Sequence, residues 1–384
     1  MALVPQTSNG GELAGSISSQ LWFFPREPLH EGQERNDASF ALQPKYSHGF
    51  EGGSSMTFAP FYRYDGADSE RTHFDIREMN YHLVLESIEF RAGVGKVFWG
   101  ATEFIHLVDI INQTDLVENP NGEDKLGQPM LQIIKPLDFG TFEVFVLPYF
   151  RERTFPGKGG RFRSSIPVNT DNPRYENRDK ERHVDIASRL SGTVGIMDFG
   201  LSYFRGTGRE PMLLMLPAPD GSVSIVPYYA QIEQGSIDLQ AVAGALLLKL
   251  EALRRTGQGR AFYSYGSGLE YTLAGLFGSR YDLGVIVEYA YDSRKADSST
   301  AFQSDVMLGL RLALNDFSGT EVLAGYIYDT DYDSKALRVK GSRRVGKNLK
   351  LNLEAGVFFD IDPKDILYDI RNDDYIMLTL SYYL

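Results

Sequence analysis

The chain has no cysteine in 384 residues. Disulfide frameworks, cysteine-based zinc sites, iron–sulfur clusters and thiol nucleophiles are therefore excluded. Long apolar runs are also missing: the longest, Ala241 to Leu248, stops at Lys249, far short of the roughly 20 residues a membrane-crossing helix needs. Basic residues are in deficit, 39 against 51 acidic, for a formal net charge of −12. That balance argues against nucleic acid as a partner, because phosphate binding needs a basic footprint. Histidine is scarce, with 6 in all, and the first residues carry neither the basic nor the apolar part of a signal peptide. Residues 1–12 read as a leader or cloning scar, and 13–384 as one domain.

What the chain has is 24 Phe, 22 Tyr and 38 Gly, set in short segments of period two rather than at helical spacing. In Tyr375 to Leu384, Ile376, Leu378, Leu380 and Tyr382 share one face, with Met377, Thr379 and Ser381 opposite. Leu349 to Phe359 repeats the pattern with Lys350, Asn352 and Glu354 on the mixed face, as does Val306 to Leu314 with Arg311. Such dyads predict strands near 13–24, 38–48, 54–64, 73–86, 87–98, 128–135, 140–150, 183–193, 196–205, 222–232, 236–250, 260–273, 281–292, 303–314, 320–328, 335–345, 348–359 and 374–384. Connections after odd strands are long (25–37, 99–127, 151–182, 206–221, 293–302, 360–373), and those after even strands are short. The class this implies is all-β: a transmembrane, antiparallel, up-and-down β-barrel of about eighteen strands, sixteen being the alternative count. Hydrocarbon cannot hydrogen-bond a free strand edge, so a sheet that crosses it must close on itself. One stretch fits poorly. Apolar residues from Ile237 to Leu247 keep one parity and Lys249 shares it, which predicts a bulge there or a wrong register.

On these features the chain resembles Gram-negative outer-membrane porins over its full length. Leu384, Tyr382 and Leu380 are similar to the porin insertion signature, except that porins usually end in Phe or Trp. Val97-Phe98-Trp99-Gly100-Ala101-Thr102-Glu103, followed by Asp109-Ile110-Ile111-Asn112-Gln113-Thr114-Asp115, is similar to a motif of proteobacterial porin-like proteins with no known activity. The resemblance implies a bacterial outer-membrane location, lipid and lipopolysaccharide as surroundings, and a monomer or homotrimer.

A barrel of this size leaves a lumen unless something fills it. A cation facing lipid at mid-membrane costs about 2–4 kcal/mol, so the charged members of the mixed faces should point inward. The expected pore lining is Glu89, Arg91, Arg189, Glu270, Glu288, Arg311, Arg338, Lys340, Arg344 and Lys350, with Asp185 and Glu354 on the same faces. Five of these, from Arg311 to Lys350, make a late-strand basic wall. The long connection 100–127 mixes Glu103, Asp109, Asp115 and Glu118 with an apolar run from Phe104 to Ile111, and is expected to fold inward as a constriction loop facing that wall. Residues 151–182 are strongly basic, suited to attracting anionic solutes or to pairing with lipopolysaccharide phosphates or neighbouring acidic loops. Asp329, Asp331 and Asp333 alternate as oxygen donors to Ca²⁺ would, although Ser334 and Lys340 stand where a helix–loop–helix calcium loop has Gly and Glu; a solvated acidic surface is the competing reading. His73 with Asp75, and His183 with Asp185, share a strand face as a catalytic dyad would, but no nucleophile motif accompanies them.

The function expected is a non-enzymatic porin for passive, charge- and size-selective diffusion of small hydrophilic or amphipathic solutes, with no cofactor beyond the calcium candidate. The alternatives are a conduit for an anionic polymer, as in the alginate-exporter type, and a surface receptor or adhesin with a plugged lumen.

Overall fold

The computed structural model describes residues 10–218 and 221–384. In chain order the strands are β1 (Gly10–Phe23), β2 (Asn36–Gly49), β3 (Ser55–Asp65), β4 (His73–Leu85), β5 (Ile88–Gly95), β6 (Gln128–Leu137), β7 (Gly140–Leu147), β8 (Arg174–Tyr175), β9 (Asp185–Val194), β10 (Met197–Thr207), β11 (Met212–Pro217), β12 (Val223–Tyr229), β13 (Gln231–Ala243), β14 (Leu246–Gly257), β15 (Gly259–Leu273), β16 (Asp282–Asp292), β17 (Ser304–Ala313), β18 (Glu321–Asp329), β19 (Lys335–Val345), β20 (Leu349–Phe359) and β21 (Tyr375–Tyr383). All but β8, β11 and β12 form one 18-stranded antiparallel sheet. It closes where β1 pairs with β21, Ser16 opposite Tyr383 and Phe23 opposite Ile376. Closure leaves no strand edge of the barrel unpaired among the described residues. Among the described residues there is no α-helix.

Side chains alternate across the wall as the dyads require. Leu21, Phe23, Tyr64, Phe74, Leu131, Leu310, Leu378 and Leu380 are exposed outward, whereas Gln20, Arg63, Asp75, Gln132, Glu288 and Glu354 are buried inward. Apolar outside and polar inside is the reverse of a soluble barrel, and it is the arrangement a hydrocarbon solvent demands. Exposed rings ring both ends: Tyr64, Phe74, Tyr203 and Tyr263 at one, Phe50, Phe139, Phe277, Phe317 and Tyr382 at the other. Aromatic bands of this kind sit at headgroup level.

The connections segregate by end. One end carries the short turns 86–87, 138–139, 195–196 and 244–245; Gly195 and Gly244 supply the positive φ (62° and 65°) such turns need. The other carries the long segments 24–35, 96–127, 148–184, 208–230, 293–303 and 360–374.

Two strand assignments from the sequence are corrected. Residues 222–232 are not one barrel strand: β12 is part of a separate three-stranded sheet, pairing with β11 and, in parallel, with β8. Residues 236–250 are parts of two strands, because the chain turns at Gly244–Ala245 and runs back as β14, with Ala243 opposite Leu246. The turn explains the parity conflict without a bulge. On β13 the inward residues are even (Gln234, Asp238), and on β14 they are odd (Lys249, Glu251, Leu253). The count of eighteen survives because one strand was assigned in excess and one was missed. Of the residues read as a leader, Gly10–Glu12 belong to β1, and 1–9 lie outside the described residues.

Candidate functional site

Residues 96–127 lie inside the barrel. Their neck is tied by Asn112, whose Oδ1 accepts the Val97 N–H (2.9 Å) and whose Nδ2 donates to the carbonyls of Gly95 (2.9 Å) and Leu126 (2.8 Å). One side of the insert is apolar: Trp99, Val108, Ile110 and Ile111 pack on Met130, Phe145, Leu147, Ala187, Phe204 and Ile232 from β6 to β13. Burying that many large side chains stabilises the inserted position by about 1.5–3 kcal/mol apiece before the ordering entropy is subtracted.

Wall carboxylates hold its tip. Glu251 on β14, fully buried, accepts the N–H groups of Ala101 (2.7 Å) and Thr102 (3.0 Å) and the Thr102 hydroxyl (2.8 Å) on Oε1, and the Val108 N–H (3.2 Å) on Oε2. Glu288 on β16 accepts the next two N–H groups, Glu103 (2.7 Å) and Phe104 (3.0 Å). Four consecutive amides thus point at two carboxylates, which satisfies donors that would otherwise be stranded away from water. The Phe104 ring then lies close against Gly309 and Gly325; a Cβ at Gly325 would stand 2.5 Å from it.

The insert's own carboxylates point to opposite walls. Asp115 meets Arg77 (2.8 Å) and the Thr154 hydroxyl (2.8 Å), and Glu118 takes a two-pronged bond from Arg63 (2.8 and 2.7 Å), all on the β3–β4 side. Glu103 instead meets Arg311 (2.6 Å), and Glu123 meets Lys340 (2.5 Å), on the β17–β19 side. Asp109 stays within the insert, against Lys125 (3.3 Å). Burial pushes the Asp124 carboxyl up, with the nearby Glu118 charge adding to it.

Other long segments cover the insert. Arg161 binds Asp373 (2.7 Å), whose second oxygen accepts the Phe162 N–H (2.7 Å), and the Phe162 ring joins Trp22, Phe24 and Tyr375. Arg151 binds Asp75 (2.6 Å), and Arg209 binds Asp185 (2.7 Å). Glu210 sits between Arg255 (2.9 Å) and Arg294 (3.3 Å); burial opposes ionisation, but the two guanidiniums hold its carboxyl down at about 2.

Between the insert and the wall β17–β21 lies a cavity of about 830 Å³. It extends along that wall from Asp365 and Lys335 near the long-segment end to Ser342 and Asn352, close to the short-turn end. Its middle is a mixed-charge belt: Arg311 with Glu103 and with Glu321 (3.0 Å), Lys340 with Glu123, and Arg338 with Glu354 (2.5 Å).

No protein-family model and no curated protein matches the chain. Solved structures do. Pseudomonas aeruginosa OccK8 (OprE) aligns over 98% of this chain and 99% of its own, with a TM-score of 0.57 at 12% identity. A BenF-like porin from Pseudomonas fluorescens Pf-5 aligns over 97% and 98%, with a TM-score of 0.56 at 9% identity. The chain has the fold of an outer-membrane porin-like β-barrel.

Within this porin-like barrel the residues singled out from sequence fall into several places. Arg311, Arg338 and Lys340 line the cavity. Arg344 and Lys350 are cross-strand neighbours nearer the short-turn end, outside the cavity lining. Glu288 and Arg189 lie beneath the insert rather than along open space, Arg189 gripping Asp238 (2.7 Å) under the Trp99 ring. Glu270 is buried against Arg311 (3.2 Å), Glu89 pairs with His82 (2.9 Å), and Arg91 shares the inward face of β5 with Glu89. The expected opposition of one acidic loop face to one basic wall is corrected: Glu103 faces that wall, whereas Asp115 and Glu118 face away from it and Asp109 turns inward on the loop.

Asp329, Asp331 and Asp333 do not gather into an oxygen cage. Asp329 accepts from Gln303 (2.6 Å) and from the N–H groups of Asp331 and Tyr332, Asp331 pairs with Lys295 (3.0 Å), and Asp333 accepts from the Tyr328 hydroxyl. Among the described residues the group whose ligand atoms lie within 4.8 Å of one another is His73, Asp115 and Glu118. Arg63 and Arg77 already neutralise its carboxylates. As for the dyads, His73 turns from Asp75 toward Asp115 (3.6 Å), and His183 does bond Asp185 (2.8 Å), but that carboxylate also anchors Arg209 and the Thr207 N–H. The basic segment splits: Arg151, Arg153, Arg161 and Arg163 are tied down inside, whereas Arg174, Arg178, Lys180 and Arg182 stay exposed.

Sequence reasoning missed Glu251, Arg63 and Arg77. Glu251 was hidden by the unrecognised turn at Gly244, a two-residue break that would have exposed it. Arg77 was hidden by a bulge, since Ala59 and Pro60 oppose Glu78 and Ile76 and leave Arg77 as the extra residue; Pro60 was the available signal.

Proposed function

We propose that this barrel is a passive channel of the bacterial outer membrane for small hydrophilic or amphipathic solutes, with the segment 96–127 as its constriction. The observation that carries the reading is the 830 Å³ cavity left between the insert and β17–β21, a volume suited to small molecules rather than polymers. Its mixed-charge belt would screen solutes by size and charge without chemistry. A conduit for an anionic polymer would want a continuous basic track, and the pairing of Arg311, Arg338 and Lys340 with carboxylates speaks against one. Lipid chains against the apolar belt, and lipopolysaccharide beside the exposed Arg174 to Arg182, are the surroundings this reading implies.

Purified protein in planar bilayers is expected to give stable, discrete current steps. A folded barrel that gives none would favour the plugged receptor and make the outer segments the place to look for a ligand.

A further inference from the structure

We propose that the cavity is selective for organic cations, small molecules with an ammonium group on an apolar body. The inference rests on the cavity being the conduit, and it reverses what the late-strand basic residues suggest when read alone.

The charges settle the direction. Each basic side chain lining the cavity is matched by a carboxylate: Lys125 by Asp109 (3.3 Å), Arg311 by Glu103 (2.6 Å), Arg338 by Glu354 (2.5 Å), Lys340 by Glu123 (2.5 Å) and Lys335 by Asp360 (2.6 Å). Toward the long-segment end the lining carries Asp305, Asp329 and Asp365, which are 1%, 3% and 5% exposed. Their bonds are to neutral donors only. Asp305 accepts the N–H of adjacent Ser304 (3.1 Å) on Oδ2, Asp329 takes Gln303 and two backbone N–H groups, and Asp365 takes the Leu367 N–H (2.8 Å). Among the described residues no cation pairs with any of the three, and Asp305, a side chain almost wholly buried yet lining the cavity, takes its Ser304 hydrogen bond on Oδ2. Asp305 and Asp329 are direct partners across β17 and β18; one proton shared between them would leave the pair with one negative charge. The unmatched charge of the cavity is therefore negative.

Beside these carboxylates lie Phe302, Ile327, Leu367 and Ile370. A buried carboxylate without a cation is costly, and an ammonium entering here would supply the missing partner while its apolar body lies on those side chains and its charge within reach of the Phe302 ring. An anion of the same shape would meet like charge before it reached the paired bases of the belt.

The test uses the full-length protein in planar bilayers under a potassium chloride gradient, with phenethylammonium and phenylpropionate as near-isosteric probes of opposite charge. The reversal potential is expected to report cation preference, and phenethylammonium to interrupt the current at a several-fold lower concentration than phenylpropionate. Asp305→Asn and Asp365→Asn, made singly and together, keep the side-chain oxygen that each backbone N–H needs, and are expected to reduce both differences. Conducting channels that prefer anions, or that treat the two probes alike, overturn the inference and leave the channel reading standing. A folded barrel that passes no current overturns both. The probe comparison needs no variant, so a misfolded substitution does not blunt it.

Discussion

Replacing residues 101–124 with a short Gly-Ser linker is expected to raise single-channel conductance several-fold. Conductance scales with the open cross-section, and a barrel of eighteen strands is wide enough for an aqueous lumen when nothing fills it. Here the insert fills it on the β6–β13 side, with Val108 and Ile111 fully buried. The wall should survive the deletion, because its strands bond to one another along their length and not through the insert. Arg63, Arg77, Glu251 and Glu288 would lose their partners in the insert, but they would be rehydrated by the water that replaces it, so the penalty of an unpaired buried charge does not apply. A folded variant with unchanged conductance would mean that current takes a route the insert does not narrow.

Glu251→Ala is expected to loosen the insert without unfolding the barrel. The substitution strands the N–H groups of Ala101, Thr102 and Val108, at about 1–3 kcal/mol for each donor left unsatisfied; the Thr102 hydroxyl keeps the Ile105 carbonyl as its acceptor. Two or three such losses are enough to populate a released insert. The readouts are protease cleavage within 100–108, absent in the parent, and rapid flicker between two conductance levels in bilayers. Glu251→Gln keeps an acceptor on the wall but loses the charge, and should fall between the two. If Glu251→Ala is as protease-resistant and as quiet as the parent, the anchor is Glu288 and the apolar packing alone.

The two experiments probe a feature that was half legible in the sequence. That residues 100–127 enter the barrel could be read from Phe104, Ile105, Leu107, Val108, Ile110 and Ile111, because an apolar run in a long connection has to be buried somewhere. How the loop's charges would be shared out could not. Asp115 belongs with Arg77, 38 positions earlier, and Glu118 with Arg63, 55 positions earlier, and no local spacing encodes a pairing across a lumen. The strands were legible because lipid outside and water or polar groups inside impose a strict alternation, and they failed where that rule was interrupted. At Gly244–Ala245 a two-residue turn inverted the parity inside a greasy stretch, and at Pro60 a bulge displaced Arg77. β12 was mistaken for barrel because Val223 to Tyr229 is as apolar as a lipid-facing strand. Asp329, Asp331 and Asp333 show the limit of spacing as a guide to metal sites. Carboxylates two residues apart in a turn are as readily satisfied by the turn's own N–H groups, here those of Asp331 and Tyr332, as by an ion.

The absence of native cysteine makes one further experiment unusually clean. Ser342→Cys places the only thiol of the chain on the cavity wall, and Ser202→Cys places it on the opposite wall, where Ser202 lies against Ser236 (2.6 Å) away from the cavity. Single-channel current should drop in discrete steps when a bulky neutral thiol reagent is added to Ser342→Cys, and should not change for Ser202→Cys. Block at Ser202→Cys with none at Ser342→Cys would contradict conduction between the insert and β17–β21, and would move the pathway to the other side of the insert.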